Sequence, residues 1–361
     1  MDSLSQIALG SAVAVAVVGR RSSVKKAALW GAFAGTLPDL DVFIDYGDAL
    51  SNMVYHRGFS HSLFYLSLVS PLLALLICKI HKEMALYRHW LVAIALVLLT
   101  HPLLDTMTIY GTQLAQPFSN YPFAVGSIFI IDPLYTLPLL IGLIWVLWRG
   151  KRALAANTAA LVFSCCYLLW GVAAQQHVLQ VAAQQHVLQV ATQQSQAHEN
   201  SRILVVPTAL NTLLWRILLI DDNAYYEGFY SLLEKNTAIS FQRYPLDAAL
   251  YQRYQLHPDV QTLAAFSQGF YALEQQGEQV IMTDLRMGQQ QNYAFSFVVP
   301  AQAEQTVVRL PRNLQLSDTL QWVWRTLTGE QSAASQLPHN PTNPDAAPAP
   351  DHREPAQYSS H

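Results

Sequence analysis

Charge is what this sequence has least of. Only 12% of its 361 residues are Asp, Glu, Lys or Arg, against 52% hydrophobic, whereas soluble domains carry about 25% charged residues. A mean hydropathy of +0.19 agrees, and together these values exclude a wholly soluble enzyme. A basic excess is also missing: 21 Lys and Arg face 24 Asp and Glu, a net charge of −3. No field is present to hold nucleic acid, so no direct nucleic-acid contact is expected. Cysteine is scarce. Cys78, Cys165 and Cys166 all lie in apolar runs, which excludes a disulfide framework and a four-thiolate zinc module. A cleavable leader is not expected, because the first apolar stretch has basic residues after it and none before it.

What is abundant is apolar sequence of membrane-crossing length. A bilayer's hydrocarbon core is about 30 Å thick and takes roughly 20 apolar residues to cross. Residues 62–78, 128–148 and 153–174 qualify, with Asp132 their only charge, and residues 89–110 are apolar apart from His89, His101 and Asp105. Residues 4–19 and 27–37 are shorter. They either cross a locally thinned bilayer or fold as a helical hairpin against the others. The fold class read from this pattern is a mostly α membrane domain of about six apolar helical segments, followed by a small α+β soluble domain.

Basic residues set the expected topology. Ten of the eleven Lys and Arg in residues 1–199 form three clusters: Arg20, Arg21, Lys25 and Lys26; Lys79, Lys82 and Arg88; Arg149, Lys151 and Arg152. With six crossings all three fall on one face, which the positive-inside rule makes cytoplasmic. The opposite face then receives Asp39, Asp41, His56, Arg57, His61, Asp105, Asp132 and everything after residue 174. Glu83 is the one strong acid that breaks this segregation. The expectation is a multi-pass protein of a bacterial inner membrane with a periplasmic C-terminal domain.

The organisation expected is a membrane domain over 1–175, a Gln-rich linker over 176–200, an external domain over 201–330 and a disordered tail over 331–361. The linker contains VAAQQHVLQ twice in succession, from Val172 and from Val181, and then a decayed third copy. Nine residues make two and a half helical turns, so His177 and His186 point in opposite directions. That disfavours a paired metal site and favours a duplication that lengthens a helix. In the external part, ILVVP, LLWRILLID, YYEGFYSLL and YAFSFVVP read as strands, and residues 246–256 and 259–274 as helices. The tail is rich in Pro, Ala, Asn and Ser.

Ionisable residues at membrane depth are expensive and need partners or a purpose. They gather in three patches. Asp39 and Asp41, in PDLD, can both aim oxygens at one cation from a turning backbone, or can simply mark a helix end at the water interface. His56 and His61, in HRGFSHS, can converge on one ion because Gly58 lets the chain fold back; alternatively the segment is a capping loop, with Ser60 or Ser62 as N-cap. Arg57 between them suits an anionic, bidentate group such as phosphate, or a lipid headgroup. His101 and Asp105 are four apart, on one face of a helix. Asp132 before Pro133 reads first as an ordinary helix start.

One expected rim receives all three patches. His and Asp without thiolate suit zinc or another divalent first-row ion, which would lower the pKa of a bound water. His56, His61, His101 and Asp105 are the ligand candidates, with Asp39 or Asp41 joining them or acting as general base. Arg57 would neutralise charge on the substrate. The function expected is hydrolysis of an ester or phosphodiester, on a small-molecule or lipid-like substrate, with membrane lipids as neighbours. The alternatives are an ion or metal transporter using the same residues, and a non-catalytic anchor for the external domain.

MDSLSQIALG, ALWGAFAGTLPDLDVFID, HRGFSHSLF, THPLLDTMTIYGTQLAQPFS, IFIIDPLYTLPLLIG, NTLLWRIL and DLRMG, between residues 1 and 288, carry a resemblance. The sequence resembles the bacterial inner-membrane metal-dependent hydrolase family called YdjM or YbcI-like, described as LexA-regulated. The resemblance implies a membrane-embedded helical hydrolase distantly similar to zinc-dependent phospholipase C and P1-type nucleases. It carries metal-binding roles to Asp39, Asp41, His56, His61, His101 and Asp105. Relatives that begin with a Thr-His pair differ from the Ser5-Gln6 found here, and others have Glu in place of Val15. Any link to LexA comes from the resemblance alone.

Overall fold

The computed structural model describes residues 1–193, 201–234, 239–290, 292–300, 306–311 and 316–327. The tail after residue 330, with its expected disorder, lies outside them. The membrane part consists of α1 (Ser3–Val18), α2 (Val24–Thr36), a 3-10 turn (Pro38–Phe43), α3 (Ala49–Tyr55), a short 3-10 turn (Phe59–His61), α4 (Leu63–His81), α5 (Tyr87–Thr106), α6 (Pro133–Arg149) and α7 (Leu154–Gln193). Local chemistry sets the starts. Asp2, Asp48, Ser62 and Asp132 each accept a backbone N–H at the head of α1, α3, α4 and α6. Lys82, in the left-handed region at φ 56°, ends α4.

Among the described residues, three stretches are long and apolar enough to cross a membrane: Leu63–His81, Met84–Thr106 and Pro133–His186. The last runs through both α6 and α7. Helices α1 and α2 have only 16 and 13 residues, about 24 and 20 Å at 1.5 Å per residue, less than the hydrocarbon core. They form a tight antiparallel hairpin, and α1 packs at the centre against α2, α5, α6 and α7. Glycines permit the closeness. A Cβ at Gly10 would strike the Gly31 carbonyl, one at Gly31 the Gly10 carbonyl, and one at Gly35 would lie 2.8 Å from the Gln6 carbonyl.

The turns between α1 and α2, between α4 and α5 and between α6 and α7 meet at one end of the bundle. Val18, Val24, Cys78, Trp90, Val146 and Ala153 share one core there. Glu83, the exception to the charge segregation, ties this end together. It accepts from Ser22 Oγ at 2.8 Å, Lys26 Nζ at 2.8 Å and Trp90 Nε1 at 3.0 Å. Burial pushes its pKa up, but these three donors outweigh burial and hold it down at about 2.

The C-terminal part is two four-stranded antiparallel sheets. The first orders β1 (Arg202–Pro207), β2 (Leu214–Ile220), β3 (Ala224–Ser231) and β4 (Gln242–Pro245); α8 (Ala248–Tyr254) and α9 (Pro258–Phe266) follow. The second orders β5 (Tyr271–Gln276), β6 (Gln279–Asp284), β7 (Ser296–Val299) and β8 (Val308–Arg309), and α10 (Leu316–Leu327) follows. The helix expected over 259–274 stops at Phe266. Gln268 and Gly269 at φ 54° and 79° turn the chain, and the remainder becomes β5.

Two contacts fix this part on the membrane part. The nine-residue repeat continues α7 without a break, and Ala174, Val178 and Ala182 pack on Val205, Trp215 and Tyr230 of the first sheet. Leu50, Met53 and Tyr110 share a core with Leu263 and Phe266 of α9 and Phe297 of β7. The C-terminal part thus rests on the segments that carry the His and Asp patches.

A candidate metal centre

Four of the predicted residues converge. Asp39 from the first 3-10 turn, His61 from the second, and His101 and Asp105 from the last turns of α5 bring one donor atom each within 4.8 Å of one another. Their i, i+4 spacing puts His101 and Asp105 on one face, as the sequence predicts. His61 Nε2 lies 3.2 Å from His101 Nε2, 3.2 Å from Asp105 Oδ2 and 3.4 Å from Asp39 Oδ1. His101 Nε2 lies 3.4 Å from Asp39 Oδ1 and 3.6 Å from Asp105 Oδ2. A tetrahedral ion with ligands at about 2.0–2.2 Å has edges of about 3.3–3.6 Å. Three of the five separations fall on those edges and the two of 3.2 Å just short of them, while the sixth, Asp39 to Asp105, lies within 4.8 Å.

The surroundings orient the donors as ligands. His101 Nδ1–H donates to the Gly35 carbonyl at 2.7 Å, which leaves the lone pair on Nε2, facing inward. His61 Nδ1–H donates to Ser60 Oγ at 2.9 Å, and Ser60 donates to Asp41 Oδ2 at 2.6 Å. Asp105 Oδ1 accepts from Gln6 Nε2 at 3.1 Å and from the Met1 amino group. Its Oδ2 is buried with no well-formed hydrogen bond, facing the Arg57 guanidinium at 3.4 Å and His61 Nε2 at 3.2 Å. Asp39, with 17% of its side chain exposed, is the open side; His61, His101 and Asp105 are sealed.

Asp41, His56 and Arg57 lie outside the four-donor set. Asp41 stands behind His61: besides Ser60 it accepts from Arg57 N at 2.9 Å, and its Oδ1 lies 2.9 Å from His56 Nδ1. His56 is a quarter exposed and borders a cleft of about 210 Å³ that also touches Asp41 and Asn52. Arg57 is buried at φ 64°, with Nε 3.4 Å from Asp105 Oδ2 and its guanidinium 4.7 Å above the Tyr110 ring. Asp132 is a helix cap, as expected, accepting from Leu134 N at 3.1 Å and from Tyr167. Sequence reasoning missed Gln6 and the Ser60 relay. A polar side chain inside an apolar helix was the available signal for Gln6.

Electrostatics agree with a cation site. For Asp39, burial raises the pKa, but hydrogen bonding with His101 and His61 pulls it well below the ordinary carboxylate range. Asp41 behaves the same way through His56 and His61. For His61, burial alone would lower the pKa, and the carboxylates of Asp105, Asp39 and Asp41 overcome it, lifting the value to about 10.

Comparison with known proteins places this centre in a family. Residues 1–178, which include every residue of the site, match the family described as YdjM inner membrane protein. The Escherichia coli (strain K12) inner membrane protein YbcI is 34% identical over 147 residues, covering 83% of that protein and 34% of this chain. The chain belongs to the YdjM inner membrane protein family. Another similar protein is the uncharacterized YfhP of Bacillus subtilis (strain 168), 24% identical over 225 residues, 62% of this chain and 64% of that protein. The chain therefore spans under two thirds of YfhP. No solved structure matches. The YdjM match ends within α7, so β1 to β8 lie beyond it.

Proposed function

We propose that this YdjM-family protein is a metal-dependent hydrolase of an ester or phosphodiester at the external rim of the inner membrane. One observation carries the reading: four donors within 4.8 Å of one another, with both imidazoles turned to present Nε2. Asp39, His61, His101 and Asp105 would hold the ion, and an N2O2 set of this kind suits zinc. With Asp39, the one partly exposed donor, yielding its place or admitting a fifth ligand, such an ion would acidify a water and polarise the ester oxygen.

The chain's own residues supply the rest. Asp41 orients His61 through Ser60 and pairs with His56, whose exposed ring borders the cleft. His56 is thereby suited to take a proton from the attacking water and return it to the leaving oxygen. Arg57 sits against Asp105 and holds positive charge behind the site, offsetting the negative charge that develops on the substrate. In the net reaction water gives OH to phosphorus or carbonyl carbon, the P–O or C–O bond breaks, and the departing oxygen gains the remaining proton. The ion-pathway alternative has less support, because this His and Asp cluster is confined to one end of the bundle.

Purified protein stripped with a chelator and reloaded with zinc tests the reading on a panel of phosphodiesters and carboxylic esters. Hydrolysis lost on stripping and regained on loading is expected. Hydrolysis that survives chelation, or appears under neither condition, contradicts it.

A further inference from the structure

We infer that the substrate is a bilayer amphiphile, a lipid whose headgroup ester enters the cleft sideways while its acyl chain stays on an apolar track along α2. This rests on the hydrolytic reading above and names its substrate class. The track begins on the outer face of α2, where Leu29 and Phe33, four residues apart, are 70% and 47% exposed. Helix α2 leads directly into the 3-10 turn Pro38–Phe43, where Leu40 is 46%, Val42 67% and Phe43 84% exposed.

That turn also carries Asp39 of the four-donor set and buried Asp41. Six residues therefore present carboxylates inward and large apolar side chains outward, a division that matches a molecule with a polar end and a greasy end. The cleft repeats the division. Asp41, Asp45, Asn52 and His56 contribute polar lining, and Val42, Phe43 and Ile44 contribute apolar lining. None of the four donors lines it, and Asp41, bound to Ser60 beside His61 and 2.9 Å from His56, joins cleft and donors. At about 210 Å³ the cleft is smaller than the roughly 300–1,000 Å³ of enclosed small-molecule sites. It has room for a headgroup and leaves the chain outside.

Position argues for the membrane as the source. The cluster sits directly before α4, one of the three membrane-length stretches, and at the end of another, Met84–Thr106. The first turn of α4 exposes Phe64 and Tyr65, as aromatic residues do at a membrane interface. A water-soluble ester would present the same scissile bond, but it has no use for five exposed apolar side chains leading into the turn that carries Asp39.

The test compares the wild-type chain with the double variant Val42→Ser/Phe43→Ser, both zinc-loaded. Hydrolysis of phosphatidylglycerol in vesicles is measured beside hydrolysis of bis-p-nitrophenyl phosphate and p-nitrophenyl acetate in water. Binding of dihexanoyl phosphatidylglycerol to chelator-stripped protein is measured separately. The inference expects unchanged zinc content, weaker lipid binding, and a lipid-to-soluble turnover ratio reduced about tenfold or more, because the lost binding energy is remote from the reacting bond. An unchanged ratio, or wild-type protein that binds no lipid, overturns it. Lipid binding that weakens in the variant while wild type hydrolyses nothing upholds the track and overturns the hydrolase reading.

Discussion

His61 Nε2 and His101 Nε2 face each other across 3.2 Å from residues forty apart in sequence. His101 gives its Nδ1–H to Gly35, so a lone pair points into the gap. Two lone pairs cannot share that distance; a proton or a cation must lie between them. In the ion-free protein the proton on His61 fills this role, held by three carboxylates that lift its pKa to about 10. An ion entering the site has to displace it.

Zinc binding should therefore release a proton. Below the pKa of about 10, apparent affinity should rise about tenfold per pH unit. Competition titrations at several pH values check this, and a flat affinity between about pH 7 and pH 9 contradicts it.

Stability of the chelated protein should move the other way with pH. His61 has its pKa raised in the folded chain from an ordinary 6.5 to about 10. Its contribution is complete below the ordinary value and fades as pH climbs through the raised one. Chelated protein should melt earlier at about pH 10 than at about pH 7. Zinc-loaded protein, with that proton already gone, should not show this loss.

The glycine contacts of α1 and α2 make a separate prediction. Gly31→Ala would press a methyl into the Gly10 carbonyl and to within 2.8 Å of the Ala14 Cβ. A loss of about 1–3 kcal/mol is expected, seen as a lower melting temperature in detergent. Gly35→Ala should weaken zinc binding as well, because the Gly35 carbonyl orients His101 and Gln6 beside it reaches Asp105.

Glu83 lies at the other end of the bundle. Glu83→Ala leaves Trp90 Nε1, Ser22 and Lys26 without their shared acceptor and should cost about 1–3 kcal/mol. Zinc content should not change, as measured by metal analysis of the folded variant. A metal loss equal to that of a ligand variant would contradict the separation of the two ends.

The ligands were legible because an ionisable group in an apolar segment is conspicuous. His101 and Asp105 also share a helical face, which spacing alone reveals. Asp39 and Asp41 were not separable in that way. On a 3-10 turn each residue advances about 120°, so positions two apart diverge, and only the fold shows Asp39 inside the donor set and Asp41 behind His61. Gln6, Ser60 and the Gly35 carbonyl orient the ligands through neutral groups, which leave no comparable mark in a sequence. The end of α9 was missed for a different reason: apolar spacing continues through residue 273, and the turn at Gln268 and Gly269 rests on backbone conformation. The short span of α1 was visible from its length, but its central position depends on packing against α2, α5, α6 and α7, brought closest at α2 by glycines.

Metal analysis of purified protein bears most directly on the central claim. Wild type should hold about one zinc per chain, as a single four-donor tetrahedral set requires. His61→Ala and Asp105→Asn, each shown to be folded, should hold almost none, whereas His56→Ala, altered outside the donor set, should keep the ion. Zinc retained at the wild-type level in both His61→Ala and Asp105→Asn would contradict the account.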